Sequence, residues 1–403
     1  MKKTLAIILS AFTFTSSGQV MWEIKNNEVV KWKYHSGDEF NGSTLNESYW
    51  HTGPPYGRAN MVLNSYHAAE NVKVIDGHLS VFVDSNQQMK PIEPWLIDSA
   101  YLKKNNIKAI NGQYKFKYTV GMAWSKPFYK YGYFETRFKA DKGQGLWPAF
   151  WLYGQNQNDE IDFFELKGEK LNKIHVDVHC KTGCDNGYKT WFRKVNWGGW
   201  VDVKEYLSDG YNTISGIWEP GFVTWYLNGY MIGKFKGDFE TRMSLILNTA
   251  LTKDGYAFSP GADAQTPFPA GMAVDYVRVF GKSDTSKITN APTFGYIKDT
   301  TNIIIPKKIK AKKFIFKRKR DDDVTGFISY YKLDHNTLLF ELKGKISKPI
   351  LELTDDTGKK VVSKVLDSSF NQVDITGFKH GKYKLTIVQV DKKLVEDEIS
   401  LLH

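Results

Sequence analysis

From Trp22 to Phe280 the apolar and polar residues alternate in short runs, with almost no stretch in which apolar positions recur every three or four residues. Alternation is the mark of a strand with one face on a core, so the pattern predicts strands joined by turns. Tyr131–Phe138, Ser244–Leu247 and Val274–Phe280 have strand length and aromatic or β-branched content. Leu227-Asn228-Gly229-Tyr230, after Val223-Thr224-Trp225-Tyr226, predicts a tight hairpin, because Asn-Gly accepts the positive φ angles such a turn requires. Asp76-Gly77 divides two further β-prone runs. Many short strands without strand–helix alternation predict an all-β fold of two packed sheets.

One run breaks the alternation and carries chemistry. In Glu160-Ile161-Asp162-Phe163-Phe164-Glu165, strand parity puts Glu160 and Asp162 on one face. Glu165 joins them only if the strand holds an extra residue, a β-bulge around Phe163-Phe164. Two carboxyl groups brought together in this way are what retaining glycoside hydrolysis needs, a nucleophile and a proton donor about 5–5.5 Å apart. The alternative is a half-exposed strand whose acids face water, since short motifs match by chance. Just upstream, Gly145-Leu146-Trp147-Pro148-Ala149-Phe150-Trp151-Leu152-Tyr153-Gly154 puts Trp147, Ala149 and Trp151 on one face and Phe150 and Leu152 on the other. If this strand pairs with the acids, the two indoles flank them, and indoles suit the flat C–H faces of sugar rings. Otherwise they are core tryptophans.

The ends and the charge bound the rest. Met1-Lys2-Lys3, the apolar run Leu5–Phe14 and the small residues Ser16, Ser17 and Gly18 form a secretory signal pattern covering residues 1–18, which predicts an exported protein. No other segment has the length of a membrane span. The net charge is +11, but residues 282–403 hold 24 Lys and Arg against 16 Asp and Glu, so +8 of it lies there. The acid-bearing region is close to neutral once Lys2 and Lys3 leave with the signal, and the basicity says little about substrate. The chain has two cysteines, Cys180 and Cys184. Export makes a small disulfide loop plausible, whereas a zinc site built with His175 and His179 matches no common spacing.

A composition change follows the first sandwich. Residues 19–281 read as the catalytic unit, 282–304 as a linker rich in Ser, Thr, Asn and Pro, and 305–403 as a basic segment followed by a small β module. Ile305 to Arg320 contains nine Lys or Arg and no acid, ahead of Asp321-Asp322-Asp323. Export argues against a nucleic-acid role for that run and favours a solvated strand face or a wall-contacting patch. The last 55 or so residues, with Asp355-Asp356-Thr357-Gly358 and His380-Gly381 as turns, loosely resemble the C-terminal sorting domains of the type IX secretion system. That resemblance implies secretion machinery as a partner.

The sequence also resembles glycoside hydrolase family 16. The blocks Asp38–Gly42 (DEFNG), Tyr131–Ala140 (YGYFETRFKA), Gly145–Gly154, Glu160–Glu165, Trp225–Gly229 (WYLNG), Leu245–Leu251 (LILNTAL) and Val274–Phe280 (VDYVRVF) stand in the family's order across about residues 36–281. The resemblance implies a β-jelly-roll sandwich with an open concave cleft and retaining endo-hydrolysis of a β-linked polysaccharide, with no cofactor in the chemistry. It assigns Glu160 as nucleophile, Glu165 as acid/base and Asp162 as the residue that hydrogen-bonds the nucleophile and separates the two pKa values. It implies Trp147, Trp151 and His179 as substrate contacts, with His179 equally readable as a structural group; Asn248 either faces the cleft or supports the sheet, and support is the favoured reading. It further implies a structural calcium on the convex side, with Asp275 as a ligand and Glu23 as a second candidate. Asn158-Asp159 before the acids and Leu166-Lys167-Gly168 after them differ from the flanks of laminarinase-like members. Agarase, porphyranase and κ-carrageenase members share the bulged triad, and Lys167 could meet a sulfate. The expected substrate is a β-1,3- or β-1,3-1,4-glucan, with red-algal galactans as the alternative. A non-catalytic carbohydrate-binding sandwich and a surface structural protein are the competing readings outside that class.

Overall fold

The computed structural model describes residues 20–401, apart from 26–27, 98–99, 155–158, 181–194, 204–205, 240, 283–323, 333–336, 345, 347 and 390–391. The expected signal segment, nearly all of the linker, the basic run at 305–320 and Cys184 lie outside the described residues.

The strands that build the cleft and its support are β1 (Val20–Lys25), β2 (Glu28–Asp38), β3 (Trp50–Thr52), β4 (Tyr118–Tyr129), β5 (Gly132–Ala140), β6 (Leu146–Tyr153), β7 (Glu160–Glu165), β8 (Lys173–Cys180), β9 (Val195–Asp202), β10 (Asn212–Glu219), β11 (Phe222–Leu227), β12 (Tyr230–Lys236), β13 (Met243–Leu251) and β14 (Ala270–Lys282). One antiparallel layer runs β3-β4-β13-β6-β7-β8-β9. The facing layer runs β1-β2-β14-β5-β10-β11-β12. This is the all-β, two-layer sandwich that the alternation predicts, and the hairpin forms at Asn228 (φ 51°) and Gly229 (φ 79°), joining Leu227 to Tyr230.

The core between the layers explains the local pattern. Phe150 and Leu152 on β6, Ile161, Phe163 and Phe164 on β7, and Ile174, Val176 and Val178 on β8 are fully buried, while Trp147 and Trp151 stay half-exposed on the other face. Phe163 and Phe164 are neighbours in sequence yet both enter the core, which regular pleating forbids. The register records how: Phe150 pairs with Phe164 but Trp151 pairs with Asp162, and on the other side Asp162 pairs with Asp177 while Glu165 pairs with His175. Strand β7 therefore carries the predicted bulge.

Three features hold the bulge. Phe163 stacks between Phe134 and Phe150 at 5.5 and 4.9 Å, and Phe164 stacks on Phe138 at 4.2 Å. A Cβ at Gly216 of β10 would fall 2.0 Å from the Phe163 ring, so only glycine leaves room for it. The indole N–H of buried Trp225, on the opposing layer, donates to the Asp162 carbonyl at 2.9 Å, giving that oxygen a partner where the bulge disrupts the ladder.

The C-terminal part is joined to this body through the chain's first strand. β15 (Val324–Lys332) pairs with β1, and β16 (Thr337–Gly344) pairs with β15, so the outer layer continues into the C-terminal residues. A second, four-stranded sheet of Lys360–Val365, Ile350–Thr354, Gly381–Gln389 and Lys392–Leu401 covers them. Trp22 and Ile24 of β1 share a core with Ile328, Phe340, Leu353 and Leu385. Hence β1, placed by sequence in the first unit, is also part of the core of the last one.

Candidate active site

The acids of β7 each face a polar residue of β8. Glu160 pairs with His179, Asp162 with Asp177 and Glu165 with His175. On the other flank Glu160 pairs with Tyr153, Asp162 with Trp151 and Glu165 with Ala149. The result is one cleft face carrying three carboxyls in a row, bordered by indoles on one side and by a His-Asp-His stripe on the other.

Glu165 is held from two directions. The Trp147 Nε1–H donates to its Oε1 at 3.0 Å, and His175 Nδ1 lies 3.2 Å from its Oε2. Burial disfavours charge on His175, but the hydrogen bond and the charge of Glu165, helped by Asp177, raise its pKa above the ordinary value. The Trp147 ring stacks on Phe258 at 4.5 Å, and Trp200 and His175 close the same aromatic box. Phe258 sits at φ +60°, a conformation an aromatic residue seldom adopts. Its loop is tied down by Thr252, which donates to the Ala257 carbonyl, and by Asp254, which accepts from Gly261 N–H at 2.9 Å.

Glu160 and Asp162 form a coupled pair. Burial pushes Glu160 up to about 7; His179 pulls it down, while the nearby Glu165 and Asp177 charges add to the rise. A hydrogen bond between the two carboxyls lowers Glu160 and raises Asp162, and Asp162, only 2 % exposed, is driven well above the carboxylate range by burial and by its acidic neighbours. Asp162 therefore keeps the proton and donates it in a hydrogen bond to Glu160, which is the group that ionises. Asp177 is pushed to about 6, by burial first, with His179 and His175 opposing. His179 Nε2 lies 3.5 Å from Asp177 and 3.7 Å from Asp162.

Of the other residues singled out by sequence, Asn248 accepts from Trp151 Nε1–H at 2.7 Å and so orients that indole on the cleft face. Lys167 is not a sulfate contact: its ammonium donates to the Ser259 carbonyl and pairs with Glu169 at 3.1 Å, which ties it to the Phe258 loop. The calcium expectation finds no support in its two named donors. Asp275 is paired with Arg137 at 2.5 Å, and a guanidinium on the proposed ligand repels a cation. Glu23 is buried and accepts from Trp32 Nε1–H at 3.2 Å. Among the described residues the one His/Cys/carboxylate cluster with metal-like spacing is Glu160, Asp162 and His179, within 4.8 Å of one another, and neither Asp275 nor Glu23 is in it. Cys180 is buried and disulfide-bonded.

Sequence reading missed His175 and Asp177 as site residues. The signal was present: His175, Asp177 and His179 alternate, and a strand beside the acids must turn all three to the same face. Phe258 carried no such signal, because a loop has no periodicity to read.

Comparison with known proteins bears on the same stretch of the chain. Residues 68–251 match the model of Glycosyl hydrolases family 16. The glucan endo-1,3-beta-glucosidase A1 of Niallia circulans is 26 % identical over 277 residues, 60 % of this chain and 37 % of that protein. The kappa-carrageenase of Pseudoalteromonas carrageenovora is 31 % identical over 193 residues, 42 % of this chain and 48 % of that protein. The chain thus spans less than half the length of these two relatives. A solved structure from work on endo-acting O-glycanases with which human gut microbiota initiate mucin breakdown superposes with a TM-score of 0.50 at 24 % identity, covering 62 % of this chain and 91 % of that one, and shares the fold. With the matched stretch holding the Trp147–Trp151 strand, the bulged acids and the His-Asp-His stripe, this chain carries a glycosyl hydrolase family 16 domain at residues 68–251.

Proposed function

We propose that the protein is an exported endo-β-glycanase that cleaves a β-linked polysaccharide with retention at the anomeric carbon. The observation that carries this reading is the register break at Phe163-Phe164, which turns Glu165 onto the face of Glu160 and Asp162. Glu160 in its ionised form attacks the anomeric carbon, while Glu165 gives its proton to the leaving glycosidic oxygen. Glu165, now a carboxylate, takes a proton from water, and the hydroxide attacks the same carbon and releases Glu160. Asp162 keeps its own proton and steadies Glu160 through its hydrogen bond. Trp147 and His175 hold the Glu165 carboxyl in place through both turnovers of its proton. Half-exposed Trp151 is the platform for the sugar beside the acids, and His179 lines the same face.

A β-1,3- or β-1,3-1,4-glucan is the substrate we favour, supported by the glucanase relative. The kappa-carrageenase relative supports a red-algal galactan as the second reading, although Lys167 no longer adds to it. A carbohydrate-binding sandwich would not require both Glu160 and Glu165. Export rests on the N-terminal signal pattern and is consistent with the disulfide at Cys180. The resemblance of the last residues to sorting domains supports secretion machinery as a partner. Wild type and Glu160→Gln should be incubated with laminarin, lichenan, agarose, porphyran and κ-carrageenan, and new reducing ends counted. We expect the wild type to release ends from one of the glucans and Glu160→Gln to lose at least about 1,000-fold of that activity. Cleavage that survives in Glu160→Gln would remove the proposed nucleophile.

A further inference from the structure

The cleft has an end that the catalytic residues do not explain. Asp162, Trp151, Ile246 and Trp124 lie in one cross-strand row over β7, β6, β13 and β4, so a glycan crossing the strands from the acids passes over Trp151 towards Trp124. Trp124 itself is buried, and Tyr56 stands edge-on to it at 5.7 Å with 48 % of its surface exposed. Tyr56 lies close enough to Glu160 to feel its charge. Beyond Tyr56 comes a segment between the strands Gln88–Pro91 and Gln113–Phe116, which holds two short helices, α1 (Pro94–Ile97) and α2 (Ala100–Lys104). A Cβ on Gly57 would lie 3.1 Å from the Trp95 ring and 3.0 Å from the Glu93 carboxyl, so the segment closes directly onto the Tyr56 loop. Glu93 also accepts from Arg58 N–H, locking the contact.

The segment has a small core of its own: Leu96, Ile97 and Tyr101 pack against Met61, Tyr66, Ile92, Leu102 and Phe116. Trp95 is the exposed aromatic residue of the segment, with 48 % of its surface exposed. An indole exposed next to the row of residues leading from the acids offers a flat apolar face with much to gain from burial.

We propose that Trp95, with Tyr56, forms an outlying sugar-binding platform that continues the cleft beyond the Trp151 position and makes the enzyme prefer longer chains. Its occupant is the C–H face of a further pyranose of the same polysaccharide, because the platform is continuous with the row of residues leading from the acids. The proposal rests on the endo-glycanase reading above. Its test uses short and long oligosaccharides made from whichever polysaccharide of the panel the wild type cleaves. Trp95→Ala should lower kcat/KM for the long ones by about 3- to 10-fold, mainly through KM, and leave the short ones unchanged. Trp95→Phe should recover most of the loss. An unchanged ratio of long to short kcat/KM in Trp95→Ala, or an equal fall for both, overturns the platform while leaving the glycanase reading standing. A wild type that cuts none of the polysaccharides overturns the reading on which it rests.

Discussion

At the scale of single residues, the division of labour among three adjacent carboxyls follows from where each one sits. Asp162 is the most deeply buried and stays protonated; Glu160 accepts its hydrogen bond and ionises at about 7; Glu165 is gripped by Trp147 and His175. The acid side of the kcat/KM profile should therefore rise with a midpoint near 7 rather than in the ordinary carboxylate range, because Glu160, as the proposed nucleophile, must lose its proton to attack. Asp162→Asn keeps a donor and should leave that midpoint in place, whereas Asp162→Ala should move it up. A midpoint near 4 to 5 in Asp162→Asn would mean that Asp162 is the charged member of the pair. The same shift has a stability sign. A carboxyl whose folded pKa lies above its unfolded value binds more protons when folded, so stability is lost as pH rises towards 7. Glu160→Gln removes that term, and its melting temperature at pH 8 should exceed the wild type's by roughly 2–4 °C. A lower melting temperature would contradict the burial argument.

At the scale of the element, the bulge is the device that assembles the site, and its support comes from the opposite layer. Gly216 makes space for Phe163, and Trp225 caps the Asp162 carbonyl. Gly216→Ala should destabilise by about 1–3 kcal/mol through overpacking, and kcat should fall as Glu165 is displaced. Trp225→Phe keeps the ring but leaves the carbonyl without its donor, and the expected loss is about 1 kcal/mol. Denaturation midpoints and kcat on the same preparations check both, and full activity in either variant would argue that the bulge needs no outside support. This element was legible in the sequence because its acids violate strand parity, and the pairing with the Trp147–Trp151 strand followed from the indoles' shared face. Gly216 and Trp225 were not legible. A glycine in a strand or a buried tryptophan means nothing until the partner across the core is known. The same holds for Asp275, which the sequence offers as a calcium ligand without showing that Arg137 pairs with it.

At the scale of the whole molecule, the first strand and the C-terminal residues close the chain on itself. Phe327 packs on Tyr133 and Tyr226 at 5.7 and 5.0 Å. Around this contact lies a buried ionic network in which Lys343 pairs with Glu135 at 2.5 Å, and Arg278 pairs with Glu39 at 2.8 Å and with Glu341 at 3.4 Å. Burial alone would raise Glu135, but the charge and hydrogen bond of Lys343, with Tyr133, hold it below the ordinary value. A carboxyl lowered in the folded state gives stability above its unfolded pKa and loses it as pH falls through the folded one. The contact between the two parts should thus loosen as pH falls below the ordinary carboxylate range, and Lys343→Ala, which strands a buried carboxylate, should cost about 3–5 kcal/mol near neutral pH. Thermal melts against pH for both proteins check this. Melts that coincide would mean the ionic network does not couple the parts. None of this pairing was readable from composition, since β1 and β15 are almost 300 residues apart in sequence, and strand partners at that distance leave no local pattern.

The most direct test is the anomeric configuration of the first reducing ends, followed by proton NMR on the cleaved polysaccharide before mutarotation sets in. The bulged pair Glu160 and Glu165 predicts β-anomer first, with α appearing only as the sugar equilibrates. Ends that appear first as the α-anomer would contradict a double displacement at Glu160.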